Sequence, residues 1–405
     1  LQRSPVTTVL LTNVRLPDGG ANAVDLRIVD GVVAEVGSGL RAREGEHLLD
    51  GRGGLVTESL IEAHAHLDKA YLAEVIPNPT GDLMGAITAM IANRSVMTVA
   101  NTIERAERAV RTMVRHGVTT IRTHADVTDD NGLTSIEALL EVRRRTADLV
   151  DLQIVALVGW PLVGPDGDVH RTLAREAVGM GADILGGCPH LDVDASAANE
   201  VLVDLAGELG VPLDLHTDEH TDVDRLSLGD LARRVIDTGF DHRVTASHCV
   251  SLGVQPEGIQ RSIAEAVAAA GIGVVALPHT NLFLQGRESQ TAMPRGLTAV
   301  RALREAGVEV AAGSDNLQDP FNPIGRGDPL EAAGLMVLTA HLLPDDAFAA
   351  VSTVARSVLG IEMAGPRVGA SADVMVTPVS SVREAIASGA PRTLVLRRGT
   401  VVHQA

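Results

Sequence analysis

Between Leu55 and Ala312 the chain repeats one unit eight times: a short apolar run rich in β-branched residues, then a longer amphipathic stretch. The runs read as strands are 55–66, 118–124, 152–158, 182–185, 211–216, 242–248, 272–277 and 308–312. Between them fall helical patterns at 103–116, 135–145, 171–180, 197–209, 228–238, 260–270 and 297–306, and a further one follows at 329–342. In the first of these, Ala106, Val110, Met113 and Val114 share one face and Gly117 stops the helix. Gly181 and Gly210 end two others in the same way. Each crossover is long enough to return the chain to a parallel neighbour with the right-handed sense. Eight such units predict an α/β fold, a closed (β/α)8 TIM barrel, over an open doubly wound sheet.

The two ends of the chain have a different period. Residues 7–14, 23–29 and 31–36 are β-rich and are broken by Pro17-Asp18-Gly19-Gly20 and by Asp30-Gly31, a hairpin pair suited to positive φ. The tail returns to strands at 373–377, 393–397 and 399–402. Strands at both ends are expected to pair into a small β-sandwich beside the barrel, since chain termini often lie close together. The expected division is 1–56 with 365–405 for the small composite domain, and 57–364 for the barrel.

Charge narrows the partners. A formal charge of -18 disfavours nucleic acid and anionic membrane surfaces. No apolar run reaches the ~20 residues of a membrane span, and Leu1-Gln2-Arg3-Ser4-Pro5 does not read as a signal peptide. Two cysteines, Cys188 and Cys249, make no disulfide framework, which points to a reducing, cytoplasmic setting. Association of identical chains remains open.

Catalytic groups of such barrels sit at the carboxyl ends of the strands. Those ends carry His64 and His66, His124 and Asp126, Trp160, His190, His216 and Glu219, His248, His279, and Asp315. His64 and His66, spaced i, i+2 on a strand, face the same side. Imidazoles converging with one carboxylate are ligands for Zn2+ or Fe2+ with an open position for water.

The motifs His64-Ala65-His66-Leu67-Asp68, His216-Thr217-Asp218-Glu219, Ser247-His248 and Gly313-Ser314-Asp315 resemble the amidohydrolase superfamily. The likeness is to its cytosine deaminase-like branch, which includes N-isopropylammelide amidohydrolases. It extends through Arg122-Thr123-His124-Ala125-Asp126, Leu284-Gln285-Gly286-Arg287 and Asp319 to Gly325. The resemblance implies that His64, His66, His216 and Asp315 bind one divalent metal, Zn2+ or Fe2+. Many relatives add a second metal through a carboxylated lysine at the end of the fourth strand. Lys69 is the only lysine here and lies in the first loop, so that bridge is excluded. The implied roles are Asp315 as acceptor of the water proton, His248 as the group that orients hydroxide, and Glu219 as proton donor to a ring nitrogen.

Departures limit the substrate. The cytosine enzyme ends its third strand in a Gln-Glu pair, whereas this chain has Val158-Gly159-Trp160-Pro161. The second of two consecutive aspartates after the eighth strand is Asn316 here. Both weigh against cytosine itself. Trp160 is positioned either to stack on a planar ring or simply to pack. Gln285 is a candidate for a ring edge, His190 and His279 for a carbonyl, Asn316 for substrate contact. Lys69 with Asp68 either closes the first loop over substrate or forms a plain ion pair. The expected activity is hydrolysis of a C–N bond in a nitrogen heterocycle such as a pyrimidine, triazine or pterin, releasing ammonia or an amine. The nearer alternative is opening of a cyclic, hydantoin-like amide; the more distant one is a non-catalytic metal-binding protein.

Overall fold

A computed structural model describes residues 8–18 and 22–405. Thr7, Gly19, Gly20 and the first residues of the expected composite domain lie outside the described residues. The chain opens with β1 (Thr8–Arg15), β2 (Val24–Val29), β3 (Val32–Gly37) and β4 (His47–Glu58). Asp30 and Gly31 join β2 to β3 with φ of 49° and 80°, the positive-φ pair that a two-residue hairpin needs.

The expected first strand, 55–66, is two strands in two sheets. β4 ends at Glu58 and β5 (Leu60–Ala65) begins after Ser59 alone. Ser59 is the crossing point: its amide donates to Asp373 and its hydroxyl meets Thr119 at 2.6 Å. A continuous apolar run carries no mark of a change of sheet, which is why the pattern did not separate them.

From β5 the strands and helices alternate as expected: β6 (Val118–Val127), β7 (Asp151–Val158), β8 (Ile184–Gly187), β9 (Leu213–Thr217), β10 (Val244–His248), β11 (Gly273–Ala276) and β12 (Val310–Ala312). Each pairs in parallel with the next, in the order β5 to β12. A parallel bridge from Ala65 to Asp315 brings the ends together and closes the barrel. Gly313 permits that approach, since a Cβ there would meet Glu62 Oε1 at 3.0 Å and the His64 backbone at 3.1 Å.

The period of two along β6 sorts its buried residues. Ile121, Ala125 and Val127 join the apolar layer shared with the helices. Arg122, His124 and Asp126 belong to the other face, where Arg122 donates to Asp214 at 2.8 Å and Asp126 accepts from Lys69 at 2.6 Å. The barrel axis therefore carries buried polar side chains, and the hydrophobic core surrounds it.

β13 (Val374–Thr377), β14 (Leu394–Arg397) and β15 (Thr400–Gln404) complete the terminal sheet, ordered β15-β14-β13-β4-β1-β2-β3. β4 is the hinge of this arrangement, parallel to β1 and antiparallel to β13. Val9, Leu11, Leu26, Ile28, Val56, Val374 and Leu396 form its separate core. A helix at Leu83–Ala92, absent from the sequence reading, lies in the long connection after β5. No helix among the described residues is long and apolar enough to cross a membrane.

Candidate metal centre and active site

β5 and the residues just past it supply His64 and His66, β9 supplies His216, and the turn after β12 supplies Asp315. His66 Nε2 lies 3.4 Å from His64 Nε2 and 3.1 Å from His216 Nε2. Asp315 Oδ1 is 3.3 Å from His66 Nε2 and 3.6 Å from His64 Nε2. Four donors around a tetrahedral ion at ~2.0–2.1 Å stand about 3.4 Å apart, and these four separations of 3.1–3.6 Å are close to that value.

The electrostatics agree with a cation. Burial, then the neighbouring imidazoles, push His64 and His216 well below the usual histidine range, so both rings are neutral near pH 7. Burial alone would raise Asp315, but His66 and His248 hold it below the ordinary carboxylate range. Both carboxylate oxygens of Asp315 are buried without a hydrogen-bond partner. Neutral imidazoles facing an unpartnered carboxylate leave lone pairs that only a proton or a cation satisfies. The donor set therefore fits a borderline divalent ion.

His66, His216 and Asp315, but not the more deeply placed His64, line a cavity of about 420 Å³ among the strand ends. His248 and Glu219 line it together with His66, His216 and Asp315. His248 donates from Nδ1 to Asn281 Oδ1 at 3.1 Å, which leaves its buried Nε2 unpartnered. Glu219 Oε1 is 3.6 Å from His248 Nδ1. Burial and the nearby charge of Asp315 push Glu219 well above the usual carboxylate range, which favours its protonated form. Asp218 fixes the loop that aims it, accepting from the amides of Ser227 and Leu228 and from the Ser227 hydroxyl. Three of these positions carry positive φ without being glycine: Asp218 at 48°, His248 at 67° and Asp315 at 62°. Such backbone is sparsely populated and concentrates at functional sites.

Trp160, Lys69 and Asn316 line the same cavity. Lys69 is buried, its ammonium 2.6 Å from Asp126, 3.3 Å from Asp68 and 3.2 Å from His66 Nδ1. Of the two readings of Lys69 with Asp68, the surface ion pair is therefore set aside. Asn316 accepts from Thr280 and donates to Asp319 at 2.8 Å. Gln285, His190 and His279 are not among the cavity-lining residues. Gln285 donates to the Glu219 carbonyl at 3.0 Å, His190 Nδ1 meets the His216 carbonyl at 3.0 Å, and His279 Nε2 lies 3.1 Å from Glu331. They brace the site's loops. The sequence reading passed over the opposite wall: Leu83, Ile87, Met90 and Arg94 from the inserted helix and its exit, and Phe321. The one signal was the length of the 67–98 connection, too long for a plain βα loop.

Comparison with known proteins follows the same line. Residues 100–403 match the family model described as Amidohydrolase family. A pterin deaminase of Rhizobium rhizogenes is 34% identical over 390 residues, covering 95% of this chain and 88% of the relative. An N-isopropylammelide isopropyl amidohydrolase of a Pseudomonas species is 26% identical over 87% of each chain. Among solved structures, 5-methylcytosine deaminase from Klebsiella pneumoniae bound to phosphonocytosine superposes with a TM-score of 0.89 at 30% identity, covering 98% of both chains.

Proposed function

This chain belongs to the amidohydrolase family and is a hydrolase of carbon–nitrogen bonds, and on that premise we propose that it deaminates a planar amino-substituted nitrogen heterocycle, a pterin being the first candidate. The observation that carries the reading is the convergence of Glu219 and His248 on the cavity end formed by His66, His216 and Asp315. Hydrolytic deamination of such a ring needs an activated water, a base for its proton and an acid at the ring nitrogen.

His64, His66, His216 and Asp315 would hold one divalent ion, zinc or iron(II). Such an ion, when bound, lowers the pKa of a coordinated water toward ~7. Asp315 takes the proton that water gives up, because its carboxylate is ionised and within reach of the same point. The free Nε2 of His248 accepts a hydrogen bond from the attacking oxygen and orients it. Glu219, a neutral acid, donates to the ring nitrogen next to the carbon under attack and makes that carbon more electrophilic. As the new C=O forms, the adduct's hydroxyl proton returns to Glu219 and the proton held by Asp315 passes to the departing amine, so the amine leaves and both carboxyl groups are reset. Trp160 offers a face for the ring, with Leu157, Val158 and Phe321 lining the same apolar cavity. The missing Gln-Glu pair after β7 supports a ring other than cytosine. Two free cysteines are consistent with a cytoplasmic setting.

The test is a panel of pterin, isocytosine, aminotriazines, cytosine and hydantoin offered to zinc- and iron-loaded protein, with ammonia, amine and new acid measured separately. Ammonia from one aminoheterocycle is the expected result. New acid from hydantoin with no ammonia or amine from any other ring would replace deamination with ring opening.

A further inference from the structure

Beneath the metal cluster, a line of fully buried polar residues crosses the barrel from β6 to β5. Arg122 Nη1 donates to Asp214 Oδ2 at 2.8 Å. Ser247 Oγ lies 3.2 Å from Asp214 Oδ1, and His64 Nδ1 lies 3.0 Å from Ser247 Oγ. Asp214, Ser247 and His64 are each 0% exposed and Arg122 is 3% exposed. The four residues come from four strands, β6, β9, β10 and β5, so the line is a property of the closed barrel.

The direction of each bond follows from what each group can do. Arginine only donates, and a carboxylate only accepts. Asp214 therefore receives both the Arg122 proton and the single hydroxyl proton of Ser247. Having given that proton away, Ser247 meets His64 as an acceptor, and His64 must carry its proton on Nδ1. Its Nε2 lone pair then faces His66, His216 and Asp315. We infer that Arg122, Asp214 and Ser247 form a one-way hydrogen-bond chain that fixes the tautomer of His64 and so presents Nε2 as a ligand. The chain rests on the reading of the cluster as a metal site only for its purpose; the tautomer itself does not depend on it.

His124 completes the arrangement. Its ring stacks on His64 with centroids 3.8 Å apart and planes 27° apart, and both its nitrogens are buried without a partner. His124 Nε2 lies 3.8 Å from Asp214 Oδ1, and the donor atoms of His64, His124 and Asp214 all lie within 4.8 Å of one another. The stack fixes the plane of the ring whose tautomer the chain sets.

Asp214→Asn is the discriminating variant. Arg122 still only donates, so the amide oxygen stays on Arg122 and the amide nitrogen turns to Ser247. Ser247 then accepts from Asn and donates its hydroxyl hydrogen bond to His64 Nδ1, so the ring proton moves to Nε2 and blocks the ligand atom. Ser247→Ala removes the constraint without inverting it. The measurement is 15N NMR of histidine-labelled, metal-free protein, with His64 assigned from a His64→Asn spectrum, beside zinc affinity by chelator competition. The expected results are His64 protonated on Nδ1 in the native protein, inversion in D214N, and zinc affinity falling ~10- to 100-fold in D214N and less in S247A. His64 protonated on Nε2 in the native protein overturns the chain, as does D214N keeping both tautomer and affinity. If D214N does not fold, the native spectrum and S247A still decide. A native protein that binds no zinc yet shows the Nδ1 proton removes the metal reading and upholds the chain.

Discussion

Asp315 and His64 are joined through their backbones: the Asp315 amide donates to the His64 carbonyl at 2.9 Å. The His66 amide in turn donates to the Asp315 carbonyl at 3.1 Å. These bonds lie where β12 meets β5, so the contact that closes the barrel also brings three proposed metal ligands together. Glu62 braces the seam, accepting from the Ser314 amide at 2.9 Å and the His64 amide at 3.3 Å. Closing the fold and building the site are one event, and the predictions below follow from that coupling.

Removing the acid at Glu219 should stop the chemistry and spare the fold. Glu219→Gln keeps the shape but cannot deliver a proton, so kcat should fall by ~10²- to 10⁴-fold with metal content unchanged. Steady-state ammonia release and metal analysis on the same preparation check this. Equal activity in the variant would assign the proton transfer elsewhere.

Metal should stabilise the barrel as well as activate it. The ion binds a cluster that exists only when β5 meets β12, so it favours the folded state. At a thousandfold excess over Kd the gain is ~4 kcal/mol. Calorimetry with and without a chelator should show the melting temperature drop on chelation; no shift would mean the cluster is not a tight site.

Acid should weaken the wall around Lys69. Burial raises Asp126, but Lys69 at 2.6 Å and Arg94 at 3.2 Å outweigh it and hold the carboxyl at about 2. A carboxyl whose folded pKa is depressed stabilises fully above its unfolded value near ~3.9, and that contribution is lost as pH falls from there toward 2. Asp126→Asn should therefore be less stable at pH 7 and show a shallower loss between pH 4 and 2, by up to ~1.4 kcal/mol per pH unit. Denaturant unfolding across that window measures the slope, and parallel curves would contradict the assignment.

Trp160→Ala should act on binding. Loss of a stacking face costs ~0.5–1.5 kcal/mol beyond the lost area, so KM should rise several-fold with little change in kcat. A pure loss of thermal stability, with KM unaltered, would make Trp160 a packing residue.

Much of this architecture was legible because the eightfold period survives in the chain and because His64, His66, His216 and Asp315 fall at strand ends. What the pattern left out has physical causes. Ser59 ends one sheet and starts another inside a continuous apolar run. The helix at 83–92 is apolar nearly all round, with Thr88 as its one polar side chain, so it shows no clear face, and Pro77, Pro79 and Gly81 disguise its start. Gln285, His190 and His279 have the right chemistry for substrate, but their partners are Glu219, His216 and Glu331. Those partners are 66, 26 and 52 residues away in sequence, and tertiary hydrogen bonds at such separations leave no local signature.

The central claim is that His64, His66, His216 and Asp315 hold one catalytic metal. Metal per chain by elemental analysis, read beside ammonia release from the substrate that the panel identifies, tests it directly. The account predicts about one zinc or iron per native chain, and neither metal nor activity in His216→Ala. A native protein without metal, or a His216→Ala variant that still releases ammonia at the native rate, would contradict it.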